Sequence, residues 1–137
     1  MSTNFDTLWA NHPGRDAHPC VFENQCAIRM GVCLEKSGID TSSFTGVRCW
    51  HGHSPGHILR AQELANWLES KSDLFGHSQK SFSSSIVQGK RGILFIQNGW
   101  SGGVDHIDLW DGKKRQMIGG ELDYLKLGEQ VWFWELG

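Results

Sequence analysis

The sequence predicts an α+β fold, with helices in its first half and an antiparallel sheet in its second half. From Phe22 to Leu68, apolar residues recur at the spacing of amphipathic helices. After about residue 80, apolar or alternating segments are separated by Gly, Asn-Gly or Asp-Gly, which is typical of antiparallel strands. Because the helices precede the strands, an alternating parallel α/β arrangement is not expected.

Two helices are predicted in the first half. The first spans about Gln25–Lys36, and the second lies within SPGHILRAQELANWLES, residues 54–70. In the second segment Ser54 can cap the helix and Pro55 suits its first turn. One face of this helix is expected to be buried because its apolar residues follow the 3.6-residue period, namely Ile58, Ala61, Leu64, Ala65 and Leu68.

Four strands are predicted in the second half, after a Ser-rich stretch at residues 76–90 that we expect to be a loop or an irregular sheet edge. Their sequences are GILFIQ, VDHIDLW, KRQMI and QVWFWEL. Within VDHIDLW, strand alternation places the polar and aromatic residues His106, Asp108 and Trp110 on one face. Ile107 and Leu109 form the opposite, purely apolar face, which is expected to belong to the core.

Length and charge exclude several functional classes. The 137 residues fit a single domain, residues 1–137, that can bury its own core. A net charge of −2 and a pI near 6.4 provide no basic field for a nucleic acid partner. The N-terminus lacks the features of a secretory signal, and no apolar run approaches the roughly 18 residues of a membrane span. We therefore expect a protein made in the cytoplasm without a signal peptide and without membrane insertion.

Cys26 is the first candidate catalytic residue because it begins a predicted helix in ENQCAIRMG. A thiol at a helix N-terminus lies near the positive end of the helix dipole and near backbone N–H groups without helical partners. These surroundings favour the thiolate and can stabilise an oxyanion. The alternative is a buried structural cysteine, because free cysteine is often a small core residue.

His106 is the second candidate, since a cysteine nucleophile needs a base within hydrogen-bond reach and that base needs an orienting group. A single histidine on a strand can equally be structural. A cysteine on a helix followed by a histidine on a strand is the order found in papain-like hydrolases, although spacing alone does not show contact.

The remaining cysteines and histidines leave other interpretations open. Four cysteines allow disulfides, but once Cys26 is set aside at least one thiol among Cys20, Cys33 and Cys49 must remain unpaired in the monomer. The segment CWHGHSPGH contains four groups of the kind that bind zinc, namely Cys49, His51, His53 and His57. A zinc-dependent hydrolase using these residues is one alternative function. Loop and helix-cap roles near a cleft are the simpler interpretation of the same segment.

The seven tryptophans suggest a second alternative, a glycan-binding module without enzymatic activity. Trp67, Trp132 and Trp134 lie in periodic segments and are predicted to be core residues. Trp110 shares the face of His106 and Trp50 adjoins a glycine-rich turn, so these two are the candidates for a cleft.

Four blocks of the sequence resemble a known family. ENQCAIRMG, GHSPGHILRAQELANWL, DHIDLWDG and VWFWEL, in that order over residues 20–137, are similar to blocks of the type VI secretion system amidase effectors, specifically their fourth family. The resemblance implies a papain-like, cell-wall-peptidase α+β fold and an antibacterial toxin delivered by the type VI secretion apparatus into a neighbouring cell's periplasm. There it would hydrolyse peptidoglycan stems between D-glutamate and meso-diaminopimelate.

The resemblance further implies that Cys26 is the nucleophile and His106 the base, that no metal or cofactor is required, and that a cognate immunity protein exists. In this mechanism Arg29, Arg48 or Arg60 could orient the carboxylates of the substrate, or could be solvated surface charges.

The sequence departs from the family at the group that orients the histidine. A carboxylate is expected on the next strand, but residues 113–120, KKRQMIGG, contain none. Asp108 lies on the face of His106 at a strand distance of about 6.5 Å, and we favour it as the orienting group. Gln116 competes only if the turn has an odd-length loop, because an even loop places Met117 on that face instead.

Overall fold

The computed structural model describes residues 4–12, 26–46, 58, 60–100, 104–118 and 130–136, which contain helices followed by an antiparallel sheet. The helices in these ranges are α1 (Phe5–Asn11), α2 (Cys26–Lys36), α3 (Ala61–Ser70) and the single turn α4 (Ser72–Phe75). The strands are β1 (Gln79–Ser81), β2 (Arg91–Trp100), β3 (Val104–Asp111), β4 (Gln116–Met117) and β5 (Gln130–Glu135), with a 3-10 helix at Ser84–Val87. The predicted α+β class is confirmed.

The sheet has the strand order β1-β5-β2-β3-β4, and each of these neighbouring pairs is antiparallel. All four predicted strands are present, although KRQMI contributes only the two residues of β4. The Ser-rich stretch forms the short strand β1 and the 3-10 helix, in agreement with the irregular edge expected there.

Apolar side chains cover both faces of the sheet. The larger cluster joins α1, α2 and α3 to β2, β3 and β5, and it includes Leu8, Met30, Leu64, Phe95, Ile107, Leu109 and Trp134. The smaller cluster lies on the other face and consists of Val87, Leu94, Ile96, Trp110, Met117, Val131 and Phe133. Ile107 and Leu109 therefore belong to the core, as alternation along β3 predicted.

The predicted start of the second helix is wrong. Arg60 has extended backbone angles (φ −120°, ψ 123°) and precedes the first helical residue, Ala61, while Ile58 forms a β-bridge. Ser54 and Pro55, the expected cap and first-turn residue, lie outside the described residues. The predicted apolar face is nevertheless buried, because Ile58, in its β-bridge, belongs to the same core cluster as the apolar residues of α3.

Helix α1 was not predicted from the sequence. The side chain of Asn4 accepts a hydrogen bond of 3.1 Å from the Thr7 N–H, and Asp6 lies in the first turn near the positive end of the helix dipole. Phe5 and Leu8 bury one face of this helix in the larger cluster. No described helix has the length and apolarity that a membrane crossing requires.

Candidate active site

His106 and Asp108 form a buried pair on β3. Strand alternation directs both side chains to one face, as predicted, and His106 Nε2 lies 2.8 Å from Asp108 Oδ2. The His106 side chain is 8% exposed and that of Asp108 is 1% exposed. Little water therefore separates the imidazole from the carboxylate, which strengthens their electrostatic interaction.

The second carboxylate oxygen of Asp108 lies at the edge of β3. Asp108 Oδ1 accepts a hydrogen bond of 2.8 Å from the Leu109 N–H. The Leu109 carbonyl accepts a hydrogen bond from the Ile118 N–H, so the peptide groups of Leu109 face the side of the strand where β4 pairs. Asp108 thus binds a backbone N–H with one oxygen and the His106 ring with the other, which fixes the orientation of the carboxylate.

The register of β4 separates Gln116 from His106. Gln116 pairs with Asp111, whereas Met117 pairs with Trp110, a residue on the His106 face. Paired residues on antiparallel strands point to the same face, so Gln116 lies on the opposite face and its side chain is exposed. This is the arrangement that the sequence analysis expected for an even-length loop.

The contact with Asp108 determines which nitrogen of neutral His106 can act as a base. When Nε2 donates its proton to the carboxylate, the lone pair lies on Nδ1. When the ring is protonated, the carboxylate stabilises the imidazolium. The arrangement can therefore accept a proton at Nδ1 and later return it.

His12 is a third polar side chain beside this pair, and its role was not predicted from the sequence. It follows α1, and its Nε2 lies 3.9 Å from Asp108 Oδ1. Burial lowers the pKa of His12 from 6.5 to about 4; Arg29 and His106 also lower it, whereas Asp108 acts in the opposite direction. His12 is therefore uncharged at neutral pH. Local sequence patterns carry no signal for this contact, because it joins residues far apart in the chain.

Cys26 is the first residue of α2, as the sequence predicted within one residue, and its side chain lies outside the described part of the structure. The helix packs against β3 through the larger apolar cluster, which includes Ala27 and Met30. Cys33, two turns later, has different surroundings: it is a buried free thiol whose Sγ donates a hydrogen bond of 3.0 Å to the Leu8 carbonyl. Burial raises its pKa to about 12, which disfavours the reactive thiolate.

Most of the candidate zinc ligands and disulfide cysteines lie outside the described residues. Cys20 and the zinc-type residues Cys49, His51, His53 and His57 lie outside the described residues. Within the described ranges, no group of three or more His, Cys, Asp or Glu side chains is arranged to hold a metal ion. Cys33 forms no disulfide, which answers part of the question that the cysteine count left open.

The tryptophans whose side chains are described are buried or half-buried and form no exposed stacking surface. Trp110, a predicted cleft residue, is 2% exposed and its Nε1 donates a hydrogen bond of 2.9 Å to the Val87 carbonyl; that prediction is wrong. It is wrong because the second face of the sheet is also covered by an apolar cluster. Trp67 and Trp134 are buried as predicted, and Trp132 is half-buried beneath the ammonium group of Lys80. Trp50 lies outside the described residues.

Of the three arginines considered for substrate binding, the two that the structure describes differ in burial and in their neighbours. Arg29 is half-buried on α2 and close enough to His12 to lower its pKa. Arg60 is largely exposed, and its Nη1 lies 3.8 Å from a Glu63 carboxylate oxygen. Arg48 lies outside the described residues. A polar cavity of about 400 Å³ lies between residues 43–46 and α3, and neither His106 nor Asp108 lines it.

Solved structures with the same fold are type VI secretion effectors. The chain is similar to Tae4 from Enterobacter cloacae, with a TM-score of 0.76, 20% identity and coverage of 100% of this chain and 98% of that chain. It is also similar to the Tae4 in the Tae4–Tai4 effector–immunity complex from Salmonella Typhimurium, with a TM-score of 0.74, 20% identity and coverage of 98% and 99%. The fold is therefore the papain-like α+β fold of these amidases.

The family follows from the sequence itself. Residues 22–134 match the family model of type VI secretion system amidase effector protein 4, Tae4, and the chain belongs to that family. It is an amidase effector that is secreted by the type VI system and acts on peptidoglycan. Comparison with curated proteins gives no match.

Proposed function

We propose that residues 1–137 form a single Cys-His amidase domain that hydrolyses the γ-D-glutamyl–meso-diaminopimelate bond of peptidoglycan stem peptides. The observation that carries this proposal is the buried hydrogen bond of 2.8 Å between His106 Nε2 and Asp108 Oδ2. The position of Cys26 at the start of α2 supports it further, because the Asp108 carboxylate lies close enough to this helix to help raise the pKa of Cys33.

In the proposed mechanism, Cys26 is the nucleophile. The N-terminus of the 11-residue helix α2 provides a positive electrostatic potential that favours the thiolate. Backbone N–H groups in the first helical turn have no intrahelical partner and can donate hydrogen bonds to an oxyanion. The same helix therefore supplies both an activated thiol and stabilisation for the negative charge of the tetrahedral intermediate.

His106 transfers the protons in this reaction. Its Nδ1 takes the thiol proton, and the resulting imidazolium is stabilised by Asp108 at Nε2. The thiolate attacks the γ-carbonyl carbon of D-glutamate, and the amine of diaminopimelate leaves with the proton from His106. Water then hydrolyses the thioester with His106 as general base, which releases the γ-carboxylate and regenerates the thiol. The proposed reaction requires no metal or cofactor.

The proposal places the reaction in the periplasm of a recipient cell, where peptidoglycan is accessible to a protein delivered by the type VI apparatus. It also includes a cognate immunity protein that protects the producing cell. Relatives from Enterobacter cloacae and Salmonella Typhimurium, 19–20% identical to this chain, have been solved as Tae4–Tai4 effector–immunity complexes, which supports such a partner.

Two cysteine variants on the same helix test the nucleophile. Cys26→Ala should lower hydrolysis of purified tetrapeptide muropeptides by several powers of ten, because no other group forms the thioester. The matched control is Cys33→Ala, which removes the second thiol of α2 and should lower turnover by less than about tenfold, because that thiol only helps to hold α1 against α2. Circular dichroism should show that both variants are folded. If Cys26→Ala kept more than about a tenth of the wild-type turnover, the mechanism would be wrong.

A further inference from the structure

His12 contacts the carboxylate of the proposed catalytic group without belonging to it. The two oxygens of Asp108 face two different imidazoles: Oδ2 lies 2.8 Å from His106 Nε2, and Oδ1 lies 3.9 Å from His12 Nε2. The side chains of Asp108 and His12 are each 1% exposed. The carboxylate is thus enclosed between a ring that we assign to catalysis and a second ring with no assigned role.

The position of His12 is fixed by the packing of α1 on α2. His12 is the C-cap residue of α1, which is held in the core by Phe5 and Leu8. The Cys33 thiol donates to the Leu8 carbonyl, and Asn11 Nδ2 donates a hydrogen bond of 3.1 Å to Ser37 Oγ. One polar link to α2 and one to Ser37, the residue after α2, therefore hold the end of α1 beside Asp108, in addition to apolar contacts.

The charge state of His12 suits a group that covers a catalytic carboxylate. A charged His12 would form an ion pair with Asp108 and compete with the His106 imidazolium for the same anion. Burial lowers the pKa of His12 to about 4, and Arg29 on α2 and His106 on β3 further oppose its protonation. At neutral pH His12 therefore excludes water from the carboxylate without neutralising it.

We infer that His12 is a positioning residue of the active site, which packs over the Asp108 carboxylate and keeps its negative charge directed at His106. This inference rests on the proposed function of His106 and Asp108. Because burial keeps bulk solvent away, the carboxylate stabilises the imidazolium more strongly than it would in a solvated site. His12 thereby raises the proton affinity of His106 through Asp108.

The pKa of His106 tests this inference independently of activity. It can be followed by NMR in protein carrying Cys26→Ala, with the His106 signal assigned by its loss in His106→Asn. His12→Ala should admit water beside Asp108 and lower the pKa of His106 by at least about half a pH unit. His12→Gln refills most of the space with an uncharged polar side chain and should keep the pKa near that of the parent protein.

Kinetics provide a second readout with Cys26 restored. His12→Ala should lower kcat about tenfold with KM unchanged within about twofold, and His12→Gln should recover most of kcat. A purely structural role for His12 would change the amount of folded protein but not the pKa of His106. An unchanged His106 pKa in folded His12→Ala would overturn the inference.

A measurement without substitution at position 12 keeps the inference testable if His12→Ala does not fold. In the Cys26→Ala protein, the ring signals of His12 should show an inflection at the pKa of His106, because both rings contact one carboxylate. Absence of that inflection would also overturn the inference. Full activity of His106→Asn would instead refute the proposed function and leave the coupling between the two rings intact.

Discussion

The uncharged state of His12 should make the fold sensitive to acid. The pKa of this side chain is lowered from 6.5 to about 4 on folding, mainly because of burial. Between these two pH values the unfolded chain binds a proton at His12 and the folded chain does not. The free energy of unfolding should therefore fall as the pH is lowered from 6.5 to 4. Below pH 4 both states are protonated, so this group causes no further loss.

The size of the effect follows from the two pKa values. At pH 5 the contribution of His12 should be a loss of about 2 kcal/mol relative to pH 7.5, and the full shift corresponds to about 3 kcal/mol. This is a substantial part of the 5–15 kcal/mol that is typical of small domains. Among the described residues, the charged or titratable groups that act on His12 are Asp108 and His106 on β3 and Arg29 on α2, and Cys33 of α2 also lies near Asp108.

Urea unfolding at pH 7.5 and pH 5, followed by tryptophan fluorescence, measures the contribution of His12. The stability loss on acidification should be smaller in His12→Gln than in the wild type by about 2 kcal/mol, because the variant has no proton to take up at this position. The matched control is His77→Gln, which removes an exposed histidine and should keep the wild-type pH dependence. Equal pH dependence of the wild type and His12→Gln would refute the reasoning.

Two further predictions concern the site itself. Asp108→Asn should lower kcat by about 100-fold or more, because the imidazolium loses its stabilisation and the ring loses its tautomer control. The matched control is Asp111→Asn on the same strand. It should retain activity because its Oδ1 still accepts hydrogen bonds from the Lys113 and Lys114 N–H groups. Gln116→Ala should cost less than about tenfold, and the reverse ordering of Asp108→Asn and Gln116→Ala would transfer the orienting role to Gln116. Iodoacetamide should modify Cys26 and abolish loss of turbidity of purified peptidoglycan, whereas a chelator should not. Inactivation by the chelator instead would favour a zinc site at residues 49–57.

Helix α2 and the pairing of His106 with Asp108 could be predicted because both depend on local periodicity. Cys26 begins a segment with helical spacing, and the structure starts the helix at that residue. The two-residue period of a strand places His106 and Asp108 on one face, and the 2.8 Å contact agrees with that expectation.

The predictions from the sequence were wrong or incomplete where tertiary packing overrides the local sequence pattern. Ile58 fits the helical period but reaches the core from a β-bridge, so periodicity placed the start of α3 too early. Trp110 shares the face of His106, yet the 3-10 helix and neighbouring strands bury it. His12 could not be identified because its contact with Asp108 depends on how α1 packs against α2 and the sheet.

The bond that the enzyme cleaves can be determined by digesting disaccharide-tetrapeptide muropeptides in H₂¹⁸O and analysing the products by mass spectrometry. The proposed reaction should release a disaccharide-dipeptide that ends in D-glutamate and carries one ¹⁸O atom in the new γ-carboxylate. The second product should be an unlabelled dipeptide of diaminopimelate and D-alanine with a new free amine. Cys26→Ala should yield neither product. Release of D-alanine, or cleavage of cross-links with the glutamyl bond intact, would contradict the proposed specificity.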